Sequence, residues 1–367
     1  MKIPPEEVES LLLLSSVPGI GPNRIRALFS YFHSFSEIFQ ASVRTLIQIN
    51  GIETKTAQNI KKCNNRKFVD DQLKGLEETK TRLLTFWDDD YPEPLKQIYD
   101  PPAFLFIRGE FHPHDKYAVA IVGTRQPSNY GKVVTEKIVA ALSRYQISII
   151  SGLAYGVDTI AHRTALKTSN RTIAVLGSGV DVIYPYENNS LAQKIRGNGV
   201  LMSEFPLGTK PDRNNFPRRN RLVCGMALGV VVVEAGKKSG ALITAAMALE
   251  QNREVFAIPG NIDSPNSFGT NALLKQGATI ATSADDIIDE LYPKLQSLLT
   301  SEVKSQIPVD LTVDEKHIYS VLSNEPTHID HLSQKVHMPS SKVLAVLLTM
   351  ELKNLIKQLP GKQFVRL

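Results

Sequence analysis

Six short apolar runs, rich in β-branched residues, recur through the middle of the chain. They are "YAVAIVG" at 117–123, "ISIISG" at 147–152, "TIAVLG" at 172–177, "GVLMSE" at 199–204, "GVVVVEAG" at 229–236 and "EVFAIPG" at 254–260. They show little alternation of apolar and polar positions, the pattern of strands covered on both faces. Helix-length amphipathic segments separate them, so residues 116–292 are predicted to fold as an α/β unit around a parallel, doubly wound sheet. Gly123, Gly152, Gly177, Gly236 and Gly260 close five of the runs. In open parallel sheets the turns at these carboxyl ends line the ligand crevice.

Both flanks have a different rhythm. Residues 1 to about 65 read as short amphipathic helices with two Gly-containing turns, in "VPGIGPNRIRALFSYF" and "INGIETKTAQNIKK". The first, with Gly19 and Gly21, resembles a helix-hairpin-helix (SAM-like) element, in which turn N–H groups approach a phosphate. The second keeps only Gly51. Lys55, Lys61, Lys62, Arg66 and Lys67 suit either nucleic-acid contact or a solvated helix face. From about 80 to 115, prolines and clustered acids predict an irregular connector packed on the sheet domain. After "KLQSLLTSEVKSQIPVD", residues 310–367 predict three helices and a two-stranded hairpin turning at Pro360 and Gly361, a winged-helix pattern. Its candidate recognition helix is apolar, with Lys342 and Lys353 as its cations, which suits packing or protein contact better than DNA reading. The expected organisation is therefore a helical domain over 1–80, an α/β domain over 81–292, a linker over 293–309 and a winged helix over 310–367.

Charge sharpens this picture locally. The chain of 367 residues carries a formal net charge of +5, and residues 205–253, with eight Lys or Arg against three acids, carry as much by themselves. "FPRRNR" at 216–221 lies inside that window. Cys63 and Cys224 are too far apart to suggest a metal motif or a disulfide framework, which fits a reducing cytoplasm. "MKIPPEEVES" lacks the basic start of a signal peptide, and no apolar run approaches the roughly 18 residues of a membrane helix. No membrane partner is expected.

A parallel sheet with glycine turns invites a nucleotide, but the motifs do not fit. In "VLGSGVDVIYP" Val182 stands where a dinucleotide fingerprint needs its third glycine. In "AGKKSGALIT" Gly236 and Gly240 are one residue too close for a phosphate loop. What remains is a set of turns suited to anions: 123–125, 151–156, 177–179 and 237–244, each expected to offer unpaired N–H groups at a helix start. Repeated phosphates along a nucleic-acid strand would satisfy several together. Arg218, Arg219 and Arg221 then find a use on the same rim, with Phe216 as a stacking surface for an unpaired base. Asp158 and His162, spaced i, i+4, suit a metal or proton relay, or a mutual hydrogen bond that holds the glycine turn, and the absence of a third ligand nearby favours the latter. Glu234 is either a buried partner for an arginine or a catalytic acid.

Taken together, "IVGTRQPSNYG", "ISGLAYGVDTIAH", "TIAVLGSGVDVIYPYEN", "SEFPLG", "FPRRNRLVCG", "VVVVEAGKKSGALITAAMALEQNREVFAIPG" and "GTNALLKQGA" resemble the DNA-processing protein A (DprA/Smf) family. Gln146 departs from it, standing where the family usually has glycine. The resemblance implies an extended Rossmann-like fold that binds single-stranded DNA without catalysis and without a cofactor, usually as a homodimer. It also implies protection of incoming DNA and loading of the RecA recombinase during natural transformation. Carried onto this chain, Arg125, Arg213, Phe216, Arg218 and Arg221 would line the DNA pocket, with Gly152, Ser239 and Gly240 adding backbone or hydroxyl contacts. Gly123, Thr124, Asn220 and Lys237 fall in the same motifs and complete the candidate set. Two rivals are a nucleotide phosphoribohydrolase-like enzyme and a winged-helix regulator of duplex DNA. The first needs a "PGGxGTxxE" loop where this chain has "EAGKKSGALIT", and the second needs cations on the recognition helix.

Overall fold

Each of the six apolar runs forms a strand in the computed structural model, which describes residues 4–303, 311–322, 326–353 and 355–366. Ahead of them come helices α1 (Pro5–Ser15), α2 (Pro22–Phe32), α3 (Phe35–Gln40), α4 (Val43–Leu46), α5 (Thr54–Lys62) and α6 (Arg66–Thr79). Gly19 and Gly51, at φ +88° and +81°, make the turns before α2 and α5, a conformation that favours glycine.

The sheet domain then runs β1 (Arg82–Thr85), α7 (Glu93–Lys96), β2 (Phe104–Gly109), β3 (Ala118–Val122), α8 (Asn129–Arg144), β4 (Ser148–Ser151), α9 (Val157–Lys167), β5 (Thr172–Val175), α10 (Asn189–Gly197) and β6 (Gly199–Ser203). It continues with α11 (Asn215–Met226), β7 (Gly229–Val232), α12 (Gly240–Glu250), β8 (Glu254–Ala257), α13 (Phe268–Lys275), β9 (Thr279–Ile280) and α14 (Ala284–Val303). The strands form one sheet in the order β1-β2-β6-β5-β4-β3-β7-β8-β9. From β6 to β9 all pairs are parallel, while β2 joins β6 and β1 joins β2 antiparallel. The chain steps outward from β3 through β4, β5 and β6, then returns to place β7 on the other side of β3. The β3–β7 border is therefore the topological switch point, where open α/β sheets open a crevice.

The segment read as an irregular connector holds two strands. Leu84, Leu105, Phe106 and Ile107 are buried in the sheet, and the prolines and acids occupy the link between β1 and β2. That extension carries the N-terminal helices: Leu11, Leu28, Phe35 and Ile60 share one core with Phe104 and Phe106. Gln72 exchanges two hydrogen bonds with the backbone of Leu207. Gln146, the departure from the family pattern, sits at φ +52° in the turn before β4, a left-handed geometry that costs a non-glycine residue about 1 kcal/mol.

The chain divides into two compact units, Met1–Leu295 and Gln296–Leu367. α14 continues past Pro293 through the first part of the segment expected to be a linker, and residues 304–310 lie outside the described residues. The second unit holds α15 (Val313–Val321), β10 (Thr327–His328), α16 (Ile329–Lys335), α17 (Ser340–Leu352), β11 (Ile356–Leu359) and β12 (Gln363–Arg366). Its sheet has three strands, in the order β10-β12-β11, because a two-residue strand too short for any periodicity joins the predicted hairpin. Ile318, Leu332, Val343, Leu347 and Phe364 fill the core. The two cations of the candidate recognition helix are spent within the domain: Lys342 pairs with Asp314 at 2.7 Å and Lys353 with Glu315 at 2.8 Å. No helix among the described residues is long and apolar enough to cross a membrane.

Candidate nucleic-acid interface

At the switch point the carboxyl ends of β3, β4 and β7 and the starts of α11 and α12 enclose a cleft of about 540 Å³. Its first wall is the turn after β3. A Cβ on Gly123 would stand 2.6 Å from Val157 Cγ2, so only glycine lets this turn lie against α9. Thr124 N–H donates to Glu234 O at 2.7 Å, and Arg125 reaches out with its guanidinium 5.6 Å from the centre of the Phe216 ring.

The floor is the turn after β4, held from both sides. Gly152 N–H and Ala154 N–H donate to Asp158 Oδ2, at 3.1 and 3.3 Å, and Gly152 O accepts from Arg219 Nη1 at 2.5 Å. Arg219 also donates to Val175 O. A Cβ on Gly152 would lie 2.5 Å from Arg219 Cζ, so the glycine is what admits the buried guanidinium. Burial pushes the Asp158 carboxyl up, against the pull of Arg219 and its two backbone donors. Burial likewise lowers Arg219, against the pull of Asp158. The two buried charges hold the same turn from opposite sides, Asp158 through the Gly152 N–H and Arg219 through the Gly152 carbonyl, with no direct ion pair between them.

Helix α11 decides which of the clustered arginines face the cleft. Phe216, Arg219, Asn220 and Val223 all line it, and their spacing of i, i+3, i+4 and i+7 is one face of a helix. Phe216 is half-buried, its ring against Gly177, where a Cβ would come within 2.8 Å. Arg218 and Arg221 fall on another face. Arg218 sits 5.0 Å over the Phe205 ring, and Arg221 pairs with buried Glu204 and donates to Asp100 O. Burial raises the Glu204 carboxyl, with Arg221 and then Arg218 opposing it.

The last wall is the start of α12, lined by Lys238, Ser239, Gly240, Ala241 and Thr244. Ser239 caps the helix by accepting from Ala241 N–H, and a Cβ on Gly240 would meet nothing within 4 Å. The protein itself does not require glycine there; a close approach from the open side would. Gly240 N–H, as a first-turn donor, has no partner inside the helix.

Of the candidate residues, the structure brings Gly123, Thr124, Arg125, Gly152, Phe216, Asn220, Ser239 and Gly240 together around the cleft. It leaves out Arg213, exposed in the turn before α11, along with Arg218 and Arg221. Lys237 lies apart too, 5.0 Å over the Phe268 ring. Lys238 joins the cleft unforeseen, and Arg219 and Asp158, read as a rim arginine and a turn-holding acid but not carried into the DNA-contact set, line it too. The helical phase of "FPRRNRLV" was the available signal for Arg219: with Phe216 inward, position 219 follows. The expectation of free N–H groups at four turns is also corrected. Gly152 and Ala154 give theirs to Asp158, Gly179 to Thr209 O, Thr124 to Glu234 O and Ser239 to Gly236 O, so each turn has fewer open donors than its length suggests.

Two further residues resolve differently from expectation. Asp158 does hold the glycine turn, but His162 takes no part: its Nδ1 bonds Thr172 Oγ1 at 2.7 Å. Thr172 donates its own proton to Ile149 O, so the imidazole carries its proton on Nδ1. Burial keeps the ring neutral, with its pKa lowered to about 3. Glu234 pairs with no arginine. It accepts from Ser128 N–H at 2.9 Å and Ser128 Oγ at 2.5 Å, anchoring the start of α8. Among the described residues no group of His, Cys, Asp and Glu is placed to hold a metal ion.

Residues 82–292 match the family model described as DNA recombination-mediator protein A, 302–362 match a DprA winged helix domain, and 11–63 match a SAM-like helix-hairpin-helix tandem. Protein Smf of Synechocystis is 33% identical over 97% of this chain and 98% of its own length. The structure of DNA processing protein A from Streptococcus pneumoniae superposes with a TM-score of 0.67 at 33% identity, covering 79% of this chain and 99% of that one. A Helicobacter pylori DNA processing protein A, described for its single-stranded DNA binding mode, superposes at 0.53 with 32% identity over 59% of this chain and 97% of its own. With one family model spanning more than half of its length, around a cleft built from that model's own motifs, the chain belongs to the DNA recombination-mediator protein A (DprA/Smf) family.

Proposed function

We propose that this cleft binds single-stranded DNA, and that the protein uses it in the cytoplasm, as a homodimer, to protect incoming strands and load RecA during natural transformation. The observation that carries the reading is Phe216, its ring beneath the Arg125 guanidinium and in the same cleft as the open start of α12. An unpaired base stacks on the ring while its phosphate meets Arg125, Lys238 and the Gly240 N–H. Gly123, Thr124, Gly152, Asn220 and Ser239 shape the surrounding walls. A duplex offers no splayed base to such a slot. The binding mode named for the Helicobacter pylori relative supports the same choice. The carboxylates near the cleft have structural partners, Asp158 the Gly152 and Ala154 N–H groups and Glu234 the Ser128 N–H and hydroxyl, which supports a binding role.

Fluorescence anisotropy with a labelled mixed-sequence single strand and its duplex, at several salt concentrations, tests the reading. The single strand is expected to bind more tightly, with Arg125→Ala lowering the log–log salt slope by about 0.7 and Phe216→Ala costing about 1–3 kcal/mol. Equal affinity for the duplex, or full affinity in both variants, would refute it. Light scattering tests the homodimer. RecA nucleation on a strand pre-coated with single-strand-binding protein, with and without this chain, tests loading.

A further inference from the structure

A second cationic trough, of about 470 Å³, lies between α9 and α10, lined by Arg163, Lys167, Glu187, Ser190 and Lys194. Arg163 and Lys167 are one turn apart on α9, with Cβ atoms about 6 Å from each other, and Lys194 faces them from α10. All three are exposed, and none forms an ion pair among the described residues. The one acid, Glu187, already accepts the Tyr155 hydroxyl at 2.7 Å. Lys167 and Lys194 stand in the last turns of α9 and α10, where the helix dipole favours a cation, and their ammonium groups remain open to solvent.

Aromatic rings connect the trough to the cleft. The Tyr184 ring lies 6.1 Å from that of Phe216, tilted by 39°. Tyr155, in the turn after β4, donates its hydroxyl to Glu187 at the trough's edge, three residues along the chain from Tyr184. Tyr155 and Tyr184 are both exposed. Exposed rings followed by unpaired cations are what a single strand needs: π-faces for bases and positive charge for the backbone.

We propose that Tyr184, Tyr155 and the Arg163/Lys167/Lys194 trough continue the path of the bound single strand beyond the cleft, as a second phosphate-binding segment. The proposal rests on the cleft reading, and strand length separates the two. Anisotropy is measured with oligothymidylates of about six and about twenty nucleotides, the first filling the cleft and the second long enough to reach the trough. The protein is compared with Arg163→Gln/Lys167→Gln/Lys194→Gln and with Tyr184→Leu. The triple variant is expected to keep the short strand's affinity and to lose about 2 from the long strand's salt slope, at about 0.7 per contact. Tyr184→Leu is expected to weaken the long strand about tenfold. An unchanged long-strand slope in the triple variant, with short-strand binding intact, overturns the trough alone. Equal weakening of both lengths also overturns it, because the cations would then act on the cleft. Failure of the wild type to bind the short strand overturns the cleft reading, and this one with it. An acidic polypeptide that binds the wild type but not the triple variant, with long-strand affinity unchanged, reassigns the trough to a protein ligand.

Discussion

Arg219→Gln tests the physical basis of the cleft floor. The substitution removes the cation facing Asp158 and the donor to Gly152 O and Val175 O, all in a buried site where Arg219 is only 5% exposed. Leaving buried groups without a charged partner costs about 3–5 kcal/mol: two carbonyls lose their donor, and the buried Asp158 carboxyl loses the nearby positive charge that offsets its desolvation. Glutamine restores one of the lost donors and Asp158 keeps its two backbone N–H bonds, so the lower end, about 3 kcal/mol, is expected. Replacing the stranded carboxylate as well, in Asp158→Asn/Arg219→Gln, should recover about 1–2 kcal/mol, which makes the pair non-additive. The assay is urea unfolding followed by tryptophan fluorescence. The chain's single tryptophan, Trp87, packs between Phe29 and Phe35 and so reports on the first unit alone. Losses in the two single variants that add to the double-variant loss within about 0.5 kcal/mol would show that the residues are not coupled, and the account of the floor would be wrong.

Other outcomes follow from the same geometry. Gly240→Ala should leave the free energy of urea unfolding within about 0.5 kcal/mol, because a Cβ meets nothing there, yet weaken single-strand binding in anisotropy by blocking close approach. Arg221→Ala should do the opposite: it strands buried Glu204, costing about 3 kcal/mol of stability, while the folded variant keeps its affinity for the short strand. In the winged helix, Lys353 and the Thr312 N–H hold the Glu315 carboxyl at about 2, below its ordinary 4.5. A lowered carboxylate stabilises the fold fully above its unfolded pKa and progressively less as pH falls through the folded one. The gap in melting temperature between wild type and Glu315→Gln should therefore be constant at neutral pH and close between about pH 4.5 and 2.

The parallel sheet was legible because strands buried on both faces leave uninterrupted apolar runs that no surface element mimics. β1 and β2 were not, since they are joined by a Pro- and Asp-rich link whose composition dominated the reading of the whole segment. The cleft was legible in its glycines, which mark close backbone approaches at Gly123 and Gly152, and in Phe216. Charge misled where helical phase would have guided. "FPRRNR" looks like one basic cluster in one dimension, but helix geometry sends Arg219 to the Gly152 carbonyl in the cleft floor and Arg221 to Glu204 on another face. The turn N–H groups were overcounted for a related reason: their acceptors, Asp158, Thr209 O and Glu234 O, come from elsewhere in the fold. Sequence spacing shows where donors start, and only tertiary structure shows where they are spent.

The face-splitting of α11 has a consequence for how this segment tolerates change. At 3.6 residues per turn, inserting or deleting one residue rotates everything beyond it by about 100°. A single-codon indel between Phe216 and Arg219 would thus put the two out of phase, so that with Phe216 in the cleft Arg219 no longer reaches the Gly152 carbonyl. Ligand contact and structural clamp would fail in the same event. Point substitutions on either face are separable experiments, but the length of this helix start is a single, indivisible character on which selection acts.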